Sequence, residues 1–145
     1  MPAVLSHRHR QAAAYYRKSA FITTEQRLID TFMELAAERE QFARELSNAL
    51  SGESHLRPKA DTAVAHMGKI WRRMKTALII NVRRRIVSHV RETEKAALKR
   101  TRRILLAEEI PPAIRTLLQH QASRLEQSVA RLEVVGKRNR RSKAA

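Results

Sequence analysis

Three kinds of residue in this chain could do chemistry: histidines, paired carboxylates and rows of arginine. The histidines are His7, His9, His55, His66, His89 and His120. His7-Arg8-His9-Arg10 looks like a metal site at first sight. Spacing of i,i+2 turns the two rings apart on a helix, however, and two cations adjoin them. Glu34 and Glu38 form an i,i+4 carboxylate pair, and Glu94 is a third acid on a helical stretch. A di-iron bundle needs a Glu three residues before a His on two of its helices. Ile86 and Leu117 hold those positions before His89 and His120. The expectation is no metal and no cofactor. There is no cysteine, Gly-rich phosphate loop, Gly-x-Ser-x-Gly or His-Glu-x-x-His, so the familiar nucleophile, nucleotide and zinc-protease chemistries lack their residues. A non-enzymatic protein is expected.

The arginines form a pattern. At about 100° per residue, Arg84, Arg91, Lys95 and Arg102 fall within roughly 40° of one another around a helix. Arg73 joins them only if that helix is unbroken through residues 79–82. Such a row can track a phosphate backbone, because guanidinium groups pair with phosphate in a bidentate way. The competing reading is a solvated face with local ion pairs, such as Arg91 with Glu94. A second basic group follows near the C-terminus: Lys137, Arg138, Arg140, Arg141 and Lys143.

These rows sit in a lopsided chain. The 145 residues carry a formal net charge of +16. Residues 1–70 account for +2 of it and residues 71–145 for +14. Self-repulsion on that scale points to a polyanionic partner. Nucleic acid, an anionic membrane surface and an acidic protein all qualify. Base-specific reading is not expected. Zinc-finger spacing, an RNA-recognition signature and a basic leucine zipper are all missing, and most of the few aromatic residues sit on apolar faces and read as core. The longest apolar run, Ala12–Tyr16, is far short of a membrane span. Met1–Ser6 shows no apolar leader pattern, so a cytoplasmic location is expected.

The elements that must position these residues read as helices. Residues 7–20 are alanine-rich. Thr23-Thr24-Glu25-Gln26 reads as a capping box for the next helix. That helix has Leu28, Phe32, Leu35, Phe42, Leu46 and Leu50 at spacings of 3, 4 and 7, and it ends near Ser51-Gly52. Residues 52–60 read as a loop. Val64, Met67, Trp71, Met74 and Leu78 mark another helix, with a blurred pattern at 79–82. Ile86, Val90, Ala97 and Ile104 carry the inward face onward to about Glu108. Pro111-Pro112 stops that run and starts the last helix, whose seam is Ile114, Leu118, Gln121, Leu125, Ser128, Leu132 and Val135. Gly136 stands where a C-terminal cap would be. The expected division is a bundle over 1–136 and a basic disordered tail over 137–145.

Ala36-Ala37-Glu38-Arg39 through Phe42-Ala43-Arg44-Glu45-Leu46, Trp71-Arg72-Arg73-Met74-Lys75-Thr76-Ala77-Leu78, Glu94-Lys95-Ala96-Ala97-Leu98-Lys99 and Pro111-Pro112-Ala113-Ile114-Arg115 resemble, in order, elements of a bacterial family. It is domain of unknown function 2383, in the ferritin-like superfamily. The resemblance implies an all-α, ferritin-like antiparallel four-helix bundle with a short additional crossing helix. It implies no established activity. The chain departs from the family in charge. Arg91 and Lys95 replace usual carboxylates, and Gln119, Arg124 and Val129 stand where the last helix commonly offers Glu, Glu and His. Ile79-Ile80 and Val82-Arg83 replace the family's helix-breaking Thr-Gly and Asp-Asp. The expected function is binding of a polyanion, nucleic acid above others, without sequence specificity. Arg84, Arg91, Lys95, Arg102 and the basic C-terminal residues would carry it. A ferritin-like metal-handling or oxidase bundle is the alternative. An oligomeric scaffold for an acidic protein, with homo-oligomerisation left open, is the third reading.

Overall fold

A computed structural model describes the backbone of residues 2–51, 60–107 and 109–144, and the side chains of residues 3–51, 83–107 and 109–137. Four helices make up the described chain: α1 (Pro2–Ile22), α2 (Gln26–Leu50), α3 (Ala60–Leu105) and α4 (Pro112–Ala144). No strand occurs among the described residues. The all-α bundle expected from the periodicity is therefore the architecture found.

Cross-helix bonds fix the directions. Ser6 meets Ser47 and Arg17 meets Glu40, so α1 and α2 are antiparallel. Arg102 meets Glu126 and Lys95 meets Glu133, so α3 and α4 are antiparallel. Glu25 meets Arg83 and Arg39 meets Glu94, so α2 and the second half of α3 run the same way. The first half of α3, residues 60–82, precedes that second run in the same helix.

The seams are those the spacing marks. On α2, Leu28, Phe32, Leu35, Phe42 and Leu46 are buried. On α3, Ile86, Val90 and Ala97 are buried, with Ile104 packed at the edge. On α4, Leu118, Leu125 and Leu132 are fully enclosed. They fill three apolar clusters. One holds Tyr16, Phe32, Val90 and Leu132; one holds Phe42, Leu98 and Leu125; one holds Leu5, Leu46 and Leu118.

Several helix ends differ from expectation. Thr23 does not cap α2. The N-cap is Glu25, without a side-chain cap bond, and Gln26 donates to Asp30 at 2.8 Å instead of reaching back. The Glu25 carboxylate takes Arg83 at 2.6 Å, a charged partner stronger than a neutral cap bond. The blurred pattern at 79–82 does not mark a break, because α3 runs through it as one element. Ile79-Ile80-Asn81-Val82 contains no proline or glycine to interrupt the i→i−4 ladder. A separate short crossing helix is accordingly not found among the described residues. The side chains of Trp71, Arg73 and the rest of 60–82 lie outside the described residues.

At the other end, Pro111-Pro112 does separate α3 from α4. Arg115 closes the junction by donating to the carbonyls of Leu105 at 2.7 Å and Ala107 at 3.0 Å, which a helix end leaves unpaired. Gly136 is not a cap. No glycine among the described residues has positive φ, and α4 passes through Gly136 to Ala144. Lys137, Arg138, Arg140, Arg141 and Lys143, expected in a disordered tail, belong to the last turns of α4. Lys and Arg are good helix formers and suit the negative end of the helix dipole. Of these five, Lys137 alone has a described side chain, and it is exposed.

Candidate functional site: a buried polar layer and a divided basic surface

The apolar seams are interrupted at one level of the bundle. Leu35 and Phe42 are seven residues apart, and Arg39 stands between them. Val90 and Ala97 bracket Glu94 in the same way. On α4, Leu118, Leu125 and Leu132 bracket Gln121 and Ser128. On α1, His9 and Tyr16 share one face. All six of these polar side chains are buried.

Tyr16 donates its hydroxyl to Glu94 Oε1 at 2.5 Å. Arg39 Nε lies 3.4 Å from the same oxygen. That single carboxylate oxygen joins α1, α2 and α3. Burial pushes the Glu94 carboxyl above its ordinary range, against the pull of Arg39 and the Tyr16 hydrogen bond. Burial and the adjacent Glu94 charge likewise raise the Tyr16 hydroxyl. Gln121 donates to the Phe42 carbonyl at 3.3 Å and to Glu45 Oε2 at 3.2 Å, tying α4 to α2. His9 packs edge-on against Phe42, with ring centroids 5.4 Å apart. Burial, then Arg39 and Arg100, hold the His9 imidazole down to about 2, with Gln121 pulling weakly the other way. His9 is therefore held in its neutral form near pH 7.

The sequence signals for metal chemistry lead elsewhere. Glu34 is paired with Arg131 at 2.7 Å. Glu38 is paired with Arg124 at 2.7 Å and accepts from Ser128 at 3.2 Å. Glu94 faces Arg39. Each acid considered as a ligand has an arginine against it, and among the described residues no three His, Cys, Asp or Glu converge. A cleft of about 430 Å³ lies between α2 and α4, lined by Glu34, Glu38, Arg44, Arg124, Ser128 and Arg131. Its opposite charges largely satisfy one another.

The expected basic row has a divided fate. Arg84 is exposed and has no carboxylate partner among the described residues. Arg91 is half-buried beside α4, 3.8 Å from Glu92, and does not meet Glu94. Glu94 is turned into the core, so the expected local pair cannot form. Lys95 sits 3.9 Å from Glu92 and 3.8 Å from Glu133. Arg102 is bonded to Glu126. The row thus lies along the α3–α4 seam, where α4 supplies acids. The α1–α3 side differs. Helix α1 contains no Asp or Glu at all, and Arg85, Lys99 and Arg103 on α3 are exposed without a carboxylate partner among the described residues.

Sequence reasoning did not single out Arg39 or assign His9 to the core. The signal was there in the seven-residue gaps, since a residue four positions after one apolar seam residue and three before the next lies on their face of the helix.

No helix among the described residues is long and apolar enough to cross a membrane. No curated protein and no solved structure matches the chain. A family model described as a domain of unknown function, DUF2383, matches residues 4–107. It spans α1, α2 and α3 and stops short of Pro111–Arg115, so α4 is outside it. With well over half of its residues inside that match, the chain belongs to the DUF2383 family.

Proposed function

We propose that this protein binds a polyanion, nucleic acid in the first place, through the phosphate backbone and without reading bases. The observation that carries this is the set of exposed α3 cations, Arg84, Arg85, Lys99 and Arg103, that no carboxylate neutralises among the described residues. A chain at +16 that leaves cations unpaired is most stable with an anion against it. Arg91, Lys95 and Arg102 contribute where a phosphate displaces Glu92, Glu133 or Glu126. The basic C-terminal residues of α4, Lys137, Arg138, Arg140, Arg141 and Lys143, extend the same charge. The parallel run of α2 and the second half of α3 supports a ferritin-like bundle as the scaffold. The arginines against Glu34, Glu38 and Glu94 favour binding over metal chemistry for it.

The test is a titration of duplex DNA and RNA at several salt concentrations. With roughly five phosphate contacts, log K against log salt should slope near −4 to −5 on B-DNA. Deleting residues 137–143, or reversing Arg91 and Arg102 to Glu, should flatten the slope for every sequence alike. No binding at about 50 mM salt would end this reading.

A further inference from the structure

The register between α1 and α3 is set by the Tyr16–Glu94 bond. The helices are antiparallel, so residues before Tyr16 lie beside residues after Glu94. Arg8 is about 12 Å back along α1 from that bond at ~1.5 Å per residue. Arg100 and Arg103 are about 9 and 14 Å onward along α3 by the same rise. Arg8 therefore stands at the level between them, and Arg100 and Arg103 are themselves i,i+3 neighbours on one face. Arg8 and Arg103 are exposed, and Arg100 is half-buried between them.

Arg100 lies within the electrostatic reach of the other two. Burial and the charges of Arg8, Arg39 and Arg103 all disfavour the charged form of Arg100. Arg39 and His9 lie beneath them in the polar layer. The acid facing that layer is Glu94, which is already engaged by Arg39 and Tyr16. None of Arg8, Arg100 and Arg103 has a carboxylate partner among the described residues. Folding brings these like charges together without an internal anion to offset them, which costs stability unless an external anion is supplied.

We propose that Arg8, Arg100 and Arg103 form a phosphate clamp across the α1–α3 seam that holds the backbone of a nucleic acid. This rests on the polyanion reading above and assigns it to a place. Planar, forked guanidinium groups from two helices suit phosphate oxygens, which accept two hydrogen bonds from one arginine. A lipid surface fits the site less well. The outer face of α1 around the clamp carries His7, Gln11 and Lys18, and its exposed large apolar residues, Val4 and Phe21, stand seventeen positions apart and form no continuous stripe to enter a bilayer.

The experiment compares two double variants of equal net charge. Arg8→Gln with Arg103→Gln opens the clamp. Lys95→Gln with Arg102→Gln removes cations that already have carboxylate partners. Binding of a duplex DNA probe is measured across a salt series, with a thermal melt of each free protein at low salt. The clamp variant should lower the magnitude of the salt slope by about 2, one phosphate contact per arginine, and should melt higher than wild type because repulsion is relieved. The paired variant should change the slope by less than half as much and should not melt higher. Equal slopes in the two variants, with wild-type binding intact, overturn the clamp and leave the polyanion reading standing. Absence of wild-type duplex binding, including a case where anionic phosphatidylserine vesicles bind instead, overturns both.

Discussion

The α2–α4 seam and the α1–α3 seam hold the same kind of cation in opposite company. Across the first, Arg124 and Arg131 each meet a glutamate of α2 at 2.7 Å. Across the second, Arg100 feels the charges of Arg8 and Arg103 and pairs with no carboxylate among the described residues. Net charge gives the excess of cations over acids and says nothing about which cations are already paired. The difference arises because α1 has no acid to offer, whereas α2 and α4 carry acids at the positions that face their neighbours.

The layer beneath both seams gives the sharpest test of that difference. Arg39→Ala leaves Glu94 buried without its cation and should cost about 3–5 kcal/mol in urea unfolding. Replacing both, Arg39→Met with Glu94→Leu, should recover most of that loss, because the layer then needs no charge compensation. A double variant as unstable as the single one would show that Arg39 acts through packing alone.

His9 tests the cationic side of the same layer. Its imidazole falls from an ordinary 6.5 to about 2 in the fold, so the unfolded chain takes up the proton first as pH drops. The stability linked to His9 is fully present above pH 6.5 and is lost as pH falls from there toward about 2. The loss approaches about 1.4 kcal/mol per pH unit. Glu94, raised in the fold, works with the opposite sign. The difference between wild type and His9→Leu therefore isolates the histidine. Denaturant midpoints at pH 7 and pH 5 should converge for the variant and diverge for wild type.

Smaller effects sharpen the contrast at the α3–α4 seam. A methyl group on Gly136 would sit 3.8 Å from Arg91 Nη1, an ordinary contact. Gly136→Ala should stabilise the helix by about 0.5–1 kcal/mol. Were Gly136 a left-handed cap, the same change would destabilise. Smallest of all, Glu126→Gln with Glu133→Gln should cost only about 0.2–1 kcal/mol per pair, the usual worth of exposed ion pairs. It should steepen the salt dependence of DNA binding, by freeing Arg102 and Lys95.

Much of this was legible in the chain. Leu28, Phe32, Leu35, Phe42 and Leu46, and then Leu118, Leu125 and Leu132, gave two helical seams from spacing alone, because burial enforces a 3.6-residue period. Three of the four motifs lie inside the family match, and Pro111–Arg115 lies beyond its end. Helix ends were harder. Thr23 and Gly136 are good cap types, yet a charge pair at Glu25 and helix-forming neighbours after Val135 outweighed them. The site was hardest. One helix wheel placed Arg84, Arg91, Lys95 and Arg102 on a common face, but a wheel cannot say that Glu126 and Glu133 arrive from α4. Arg8, ninety-two residues from Arg100, becomes its neighbour only through the antiparallel packing of α1 on α3.

The three-residue link between α1 and α2 has a kinetic consequence. Their interface closes within the first fifty residues of the chain, where loop-closure entropy is small. The Tyr16–Glu94 bond spans 78 residues and must wait for a much larger loop. The α1–α2 hairpin is then the natural folding nucleus, and the docking of α3 onto it a later event. Changes such as Ala13→Gly in the hairpin interface should slow folding, whereas changes at Glu94 should mainly speed unfolding. The arginines of α1 and α3 would be forced together only in that second step, so the repulsion at their seam would leave the rate of hairpin formation untouched and shorten the lifetime of the finished fold.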